Sequence, residues 1–156
     1  MNFRSLFVIA AMSFLAACSS SPQSGANAGG TAAASAAAPG SREDFVQNVG
    51  DRVFFDFNQS NIKPEGEQTL QRQAAWLKKY PNTKVTVEGH CDDRGTREYN
   101  LALGARRANA VKRALVALGI DANRITTISY GKERPAVIGD NEAAWAQNRR
   151  GVTVVQ

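Results

Sequence analysis

Hydrophobic positions along this chain follow two rhythms in turn. Val53, Phe55 and Phe57 alternate with Phe54 and Asp56, a period of two that predicts a strand ending at Asn58-Gln59-Ser60. Ile62 and Pro64 then open a helix. Pro64 sits in its first turn, Leu70, Ala74 and Leu77 mark its buried face, and Pro81-Asn82 ends it. Val85 and Val87 alternate with Thr86 and Glu88 in a second, half-buried strand. Gly89 and Gly95 bracket the polar turn His90-Cys91-Asp92-Asp93-Arg94. Beyond it Leu101, Ala105, Ala108, Val111, Leu115 and Leu118 recur at steps of three and four, which paints one face of a long helix. Gly119 stands where a C-terminal cap belongs. A third strand runs up to Gly131, with Ile125, Thr127 and Ser129 on one face and Ile128 and Tyr130 on the other. Pro135 to Asp140 reads as a loop, and Asn141 to Arg150 as a short helix with Trp145 on its buried side. Val152, Val154 and Val155 form a last strand.

The order is βαβαβαβ. It predicts an α+β domain with one mixed sheet of four strands and helices packed on one face. The chain ends on a strand, so some pairing must be antiparallel or inserted. Strand order is not readable from the pattern.

Ahead of this domain the rhythm stops. From Ser19 to about Ser41 there is neither an aromatic residue nor a large aliphatic one. Such a stretch cannot bury enough apolar surface to offset its ordering entropy, so it reads as a flexible tether. Fully extended it would reach roughly 75 Å, and as a coil about 25 Å. An alanine helix over Thr31 to Ala38 would be too short to stand alone. Further upstream, Asn2 and Arg4 precede an apolar run from Leu6 to Leu15 that is too short to span a bilayer. The run ends in Leu15-Ala16-Ala17-Cys18, which resembles a bacterial lipobox. The resemblance implies cleavage before Cys18 and lipid attachment to it, and several acyl chains together anchor stably. The alternative is an ordinary secretory signal that happens to contain a cysteine. Ser19 after the cysteine implies, by likeness to other lipoproteins, sorting to the outer membrane. The expected organisation is a signal peptide at 1–17, a lipidated cysteine and tether at 18–43, and a folded domain at 44–156.

Composition narrows the picture a little. The chain has 156 residues, 43% of them hydrophobic, enough for one core. Its formal charge is +5, dispersed without blocks of like sign. No aromatic-basic stripe accompanies that charge, so nucleic acid is not an expected partner. The two cysteines are not a disulfide framework, because Cys18 would be consumed by lipid and Cys91 is then alone.

The chemistry gathers at the turn after the second strand. That strand delivers Asp92 and Asp93 to its carboxyl end, and the helix that follows carries Arg107 on the flank of its apolar stripe. One reading is an arginine that buries its stem and keeps its guanidinium at the rim, beside a solvated turn. The other is a pocket with a carboxylate on one side and a guanidinium on the other, suited to a zwitterionic ligand group.

VEGHCDDRGTREYNLALGARRANAVKRAL resembles the signature of OmpA-like peptidoglycan-binding domains. FFDFNQSNIKPEGEQTL, SYGKERPAVIGDNEAAWAQNRR and the terminal NRRGVTVV resemble that family's opening, third and closing segments. The resemblance implies a ligand, the peptide stem of peptidoglycan, held at its meso-diaminopimelate residue. Asp92 would accept the ammonium of that side chain, and Arg107 would take its carboxylate in a forked pair. Asp56 would add a polar contact, Leu101 an apolar wall, and Asn148 with Arg149 the floor. The lipoprotein members imply further partners, the β-propeller protein TolB and other Tol proteins. No cofactor is implied. The chain departs from the family pattern at Cys91, where threonine or alanine is common, and at Asn58, where aspartate is common. It also has Gly151 in place of a larger residue.

Enzyme and metal readings are weaker. His90 and Cys91 could suggest a thiol–histidine pair, but adjacent residues at a strand end point to opposite sides. The same geometry argues against Asp92 and Asp93 flanking one glycosidic bond. His90 is the only histidine in the chain, so no distant imidazole completes a tetrahedral metal set.

Overall fold

The computed structural model describes residues 37–156. The expected signal peptide, the lipidated Cys18 and most of the tether lie outside the described residues. The elements are α1 (Arg42–Asp44), continued by a π-helical turn Phe45–Val49, then β1 (Arg52–Phe54), α2 (Pro64–Lys79) and β2 (Val85–His90). They are followed by α3 (Arg97–Ala117), β3 (Ile125–Gly131), α4 (Glu142–Asn148) and β4 (Arg150–Val155).

The strands form one mixed sheet in the order β1-β4-β2-β3. β4 runs antiparallel to both β1 and β2, while β2 and β3 are parallel. The last strand of the chain is therefore the one inserted between the first two. Its central place explains its near-continuous burial from Arg150 to Thr153. Helices α2 and α3 pack beside each other over the sheet. The core between the layers is built from Val53, Phe55, Leu70, Leu77, Val85, Val87, Val111 and Leu115, among others. Each such apolar side chain, taken fully out of water, contributes about 1.5–3 kcal/mol.

Three features depart from the expected pattern. The α1 segment was not anticipated. It matters to the core, since Phe45 is fully buried and packs edge-on against Trp76 at 4.9 Å between ring centroids. The Asp44 carboxylate is the staple here: it accepts from Trp76 Nε1, Asn48 Nδ2 and the Gly40 amide. These bonds, Trp76 first, hold its pKa at about 2.

The second departure is β1, which stops at Phe54, short of the expected Phe57. Phe55 is buried and its amide still bonds the Arg149 carbonyl, but Phe57 turns out to 56% exposure. The chain leaves the ladder because the Asp56 and Gln59 carbonyls turn toward Arg107, and Asn58 adopts φ 56°. Asparagine tolerates that left-handed backbone better than most residues.

The third is the buried face of α3. It runs through Asn100, Leu103, Gly104, Arg107, Ala108, Val111 and Leu115, and Leu101 is half exposed. The helical period holds, but at the N-terminal half the inward positions other than Leu103 are polar or side-chain-free. Counting apolar residues alone therefore picked Leu101 over Leu103.

Gly104 is there because α3 crosses β2 backbone to backbone at Gly89. A β-carbon on Gly89 would lie on the Gly104 carbonyl, 2.6 Å from its carbon. We expect Gly89→Ala to destabilise the domain by more than about 2 kcal/mol, because the obstacle is backbone and cannot rotate away. A thermal melt should show a midpoint lowered by roughly 10 °C or more. A change of under about 2 °C would mean that α3 can slide on the sheet.

Candidate functional site

The loop after β1, the turn after β2 and the first half of α3 meet around one cleft of about 180 Å³. Asp92, Arg94, Leu103 and Arg107 line it, with Phe57, Tyr99 and Asn58 at its mouth. Larger surface hollows exist, but this one combines a buried carboxylate with a buried guanidinium.

Arg107 has no exposed surface. Its guanidinium donates from Nε to the Gln59 carbonyl at 2.8 Å, from Nη1 to the His90 carbonyl at 2.8 Å and from Nη2 to the Asp56 carbonyl at 3.1 Å. The side chain thus ties the loop after β1 to the end of β2. A guanidinium carries five N–H donors, so two remain, one on each Nη, and the Cys91 thiol is a side-chain neighbour of the group. Burial pushes its pKa down, and the nearby Cys91 and Asp92 oppose that shift. The expectation that Arg107 keeps its charge at a solvated rim is therefore corrected. The carbonyls of an open turn need donors, and the helix supplies them from below.

Asp92 is 4% exposed and already paired. Its Oδ2 lies 2.6 Å from Arg94 Nη2 and 3.3 Å from Arg149 Nη1. Arg149 is itself braced, donating from Nε to the Phe55 carbonyl at 3.0 Å and from Nη2 to Glu142 Oε1 at 2.5 Å. Arg94 is held differently. Its guanidinium carbon lies 4.0 Å from the ring centre of Phe57 and 4.0 Å from that of Trp145. The group is stacked between two aromatic faces, each contact worth about 0.5–2 kcal/mol.

The other expected site residues are placed as follows. Asp56 turns its carboxylate to solvent and to Lys63 at 3.1 Å, and only its carbonyl serves the cleft, through Arg107. Leu101 faces a separate hollow with Arg97, Ser129 and Tyr130, so the apolar wall is Leu103. Asn148 is buried against the 135–140 loop, where its Oδ1 accepts from the Ala136 and Val137 amides, and its Nδ2 donates to the Val137 carbonyl. It braces that loop and does not line the cleft. Arg149 supports Asp92 from behind.

Arg94, Phe57 and Tyr99 escaped the sequence reading. Their common signal is an exposed aromatic beside a charged turn, which no spacing rule picks out. Tyr99 donates its hydroxyl to Asn58 Oδ1 across the mouth. Cys91 is 2% exposed, with its thiol toward the Asn100 carbonyl, and burial raises its pKa. His90 is also 2% exposed, 3.3 Å from the Glu88 carboxylate. Among the described residues no three His, Cys, Asp or Glu side chains are grouped to hold a metal ion.

The model of the OmpA family matches residues 54–149, which contain the whole cleft. The chain belongs to the OmpA family. It is 57% identical over 126 residues to the peptidoglycan-associated lipoprotein of Agrobacterium fabrum, covering 81% of this chain and 71% of that protein. It is 49% identical to the protein of the same name from Mesorhizobium japonicum, over 96% of this chain and 90% of that one. Among solved structures, the peptidoglycan-associated lipoprotein from Burkholderia pseudomallei superposes with a TM-score of 0.70 at 40% identity, covering 74% of this chain and all of that one. The C-terminal domain of Helicobacter pylori MotB shares the fold, with a TM-score of 0.63 at 24% identity, over 68% of this chain and 84% of that one. The OmpA-like α+β fold expected from the sequence is the fold observed.

Two outcomes follow from the burial of this site. Arg107→Ala should destabilise the domain by about 3 kcal/mol or more, since three carbonyls lose their donor at about 1–3 kcal/mol each where water cannot replace it. Arg107→Lys should recover only part, because an ammonium cannot span all three. Urea unfolding of both variants checks this, and a wild-type midpoint for Arg107→Ala would show the clamp to be dispensable. The second outcome concerns pH. Burial, then the Arg150 charge, pushes His90 from 6.5 down to about 4, against a pull from the Arg134 backbone and with Arg134 and Arg52 adding repulsion. The unfolded chain therefore binds the extra proton first, and stability should fall as pH drops from about 6.5 to about 4. His90→Gln should flatten that slope of the stability–pH curve, and an unchanged slope would assign it to other groups.

Proposed function

We propose that this domain holds the peptide stem of peptidoglycan non-covalently in the Asp92–Arg107 cleft, gripping the meso-diaminopimelate side chain by its two charges. The observation that carries the reading is the pairing of a 4%-exposed carboxylate with a wholly buried guanidinium, both lining one cleft. The ligand ammonium meets Asp92 and its carboxylate meets Arg107. Both contacts form where water is scarce, which makes them strong and makes a mismatch costly. Leu103 supplies the apolar wall between them. The names of the relatives at 57% and 49% identity support a role at the cell wall. The role is binding, not bond cleavage.

The rest of the proposal concerns anchoring and partners. Residues 1–17 act as a lipoprotein signal peptide, and Cys18 carries the lipid. The tether to residue 43 lets the domain at 44–156 reach the wall from the outer membrane. The chain then links outer membrane and wall as part of the Tol-Pal envelope and cell-division system, with TolB and other Tol proteins as partners. The lipobox and the family resemblance support this.

Isothermal titration of a diaminopimelate-containing stem peptide against the full chain tests the site. Asp92→Asn should weaken binding by roughly 30-fold or more, the scale of an unpaired charge in a desolvated contact. A peptide with lysine in place of diaminopimelate keeps the ammonium, lacks the carboxylate and should also bind less tightly. Leu101→Ala should bind as wild type, because Leu101 faces away from the cleft. Undiminished binding by Asp92→Asn, or equal affinity for the two peptides, would overturn the assignment.

A further inference from the structure

The two guanidinium groups on Asp92 differ in how firmly each is held. Arg149 makes the longer contact, 3.3 Å, but is 7% exposed and bonded to Phe55 and Glu142 as well. Arg94 makes the shorter one, 2.6 Å, yet its side chain is 33% exposed. Asp92 is the one side chain with which the Arg94 guanidinium shares a hydrogen bond among the described residues, and its buried Nε has no partner there. Its backbone is fixed, since its carbonyl accepts from Asn100 Nδ2 at 2.7 Å. What can move is the side chain alone, sliding out from between Phe57 and Trp145.

Charge adds to this. Three guanidinium groups, Arg94, Arg107 and Arg149, stand around the cleft; of the carboxylates near them, Asp92 alone lines it, with Glu142 bonded to Arg149 and Asp93 adding its charge near Arg94. With Arg94 in place, Asp92 is already neutralised and has little attraction left for an incoming cation. If Arg94 withdraws, the same carboxylate keeps only the longer of its two contacts.

We propose that Arg94 is the resident counter-ion of Asp92 in the unliganded domain, and that the cation of a ligand must displace it to bind. This rests on the reading of the cleft as a stem-peptide site. Arg94 then sets specificity. A tethered competitor acts at high effective concentration, so a ligand that brings only a cation meets the full competition. A ligand that also brings an anion recovers the loss at Arg107. The aromatic pair gives the displaced state a signature, because Trp145 loses a stacked charge when Arg94 leaves. The other tryptophan, Trp76, lies in the core against Phe45 and Tyr80, away from the cleft.

The test uses the full chain, the diaminopimelate-containing stem peptide, and the variants Arg94→Ala, Arg94→Gln, Asp92→Asn and Trp145→Phe. Arg94→Ala should bind the peptide at least about 3-fold tighter than wild type, and Arg94→Gln, which keeps the bulk without the charge, should do the same. Peptide should change the tryptophan emission of the wild type, and this change should vanish in Trp145→Phe and shrink in Arg94→Ala. Unchanged affinity in both Arg94 variants overturns the proposal, since no competitor was removed. Weaker binding also overturns it, by making Arg94 a ligand contact, and failure of both variants to fold makes it a structural residue. The underlying reading fails separately: if the wild type does not bind the peptide, or Asp92→Asn binds as well as wild type, the cleft is not the stem-peptide site. Loss of binding in Asp92→Asn with unchanged or weaker binding in the Arg94 variants leaves that site standing without the displacement.

Discussion

One buried guanidinium organises this end of the molecule. Arg107 rises from the middle of α3 and closes three hydrogen bonds on carbonyls from two separate chain segments. Two of those carbonyls, of Asp56 and Gln59, lie in the loop after β1, and the third, of His90, is at the last residue of β2 where the register to β3 shifts, so the regular ladder does not satisfy them. An unpaired buried carbonyl costs about 1–3 kcal/mol, which makes three of them prohibitive in a domain of marginal stability. The helix is obliged to present its arginine there. Once it does, the end of β2 and the loop after β1 are pinned side by side, and Asp92 is carried to the same cleft. The structural clamp and one of the two buried charges that line the cleft are one group.

That clamp depends on how closely α3 lies on the sheet. Gly89 and Gly104 meet backbone to backbone, and neither has room for a methyl group. A helix held farther out would lift Arg107 away from the His90 carbonyl. The insertion of β4 between β1 and β2 completes the arrangement, because it brings Arg149, just before that strand, beside Phe55 and Asp92. The carboxylate is thus set from three directions: β2 supplies it, α3 underlies it, and the start of β4 braces it. Sheet order and site geometry are linked through residues at the strand ends, where ligands of mixed sheets commonly bind.

Most of the elements were legible in the sequence, because period two and period 3.6 report which side of an element is dry. Asp92 and Arg107 were legible as candidates, since a charge at a strand end and a charge on a helix flank stand out against those periods. Their burial was not. The expected rim position of Arg107 assumed that a guanidinium seeks water, whereas here backbone carbonyls replace water. Leu101 was misjudged for a related reason. The buried face of α3 includes Asn100, Gly104 and Arg107, and a stripe drawn through apolar residues alone runs off that face. Asp56 and Asn148 were matched through the resemblance, and both serve the surroundings of the cleft without lining it.

The sequence by itself determined the order of strands and helices, the turn that carries the acidic residues, and the family to which the chain belongs. Each of these depends on neighbours a few residues apart, where spacing translates directly into direction. The tertiary structure alone decided the strand order, the Gly89–Gly104 contact, and the stacking of Arg94 between Phe57 and Trp145. Those three residues lie far apart in sequence and meet only because β4 closes the sheet and brings α4 against the turn after β2. Contacts of that kind leave no period in the chain, since their partners are chosen by packing and not by position along it.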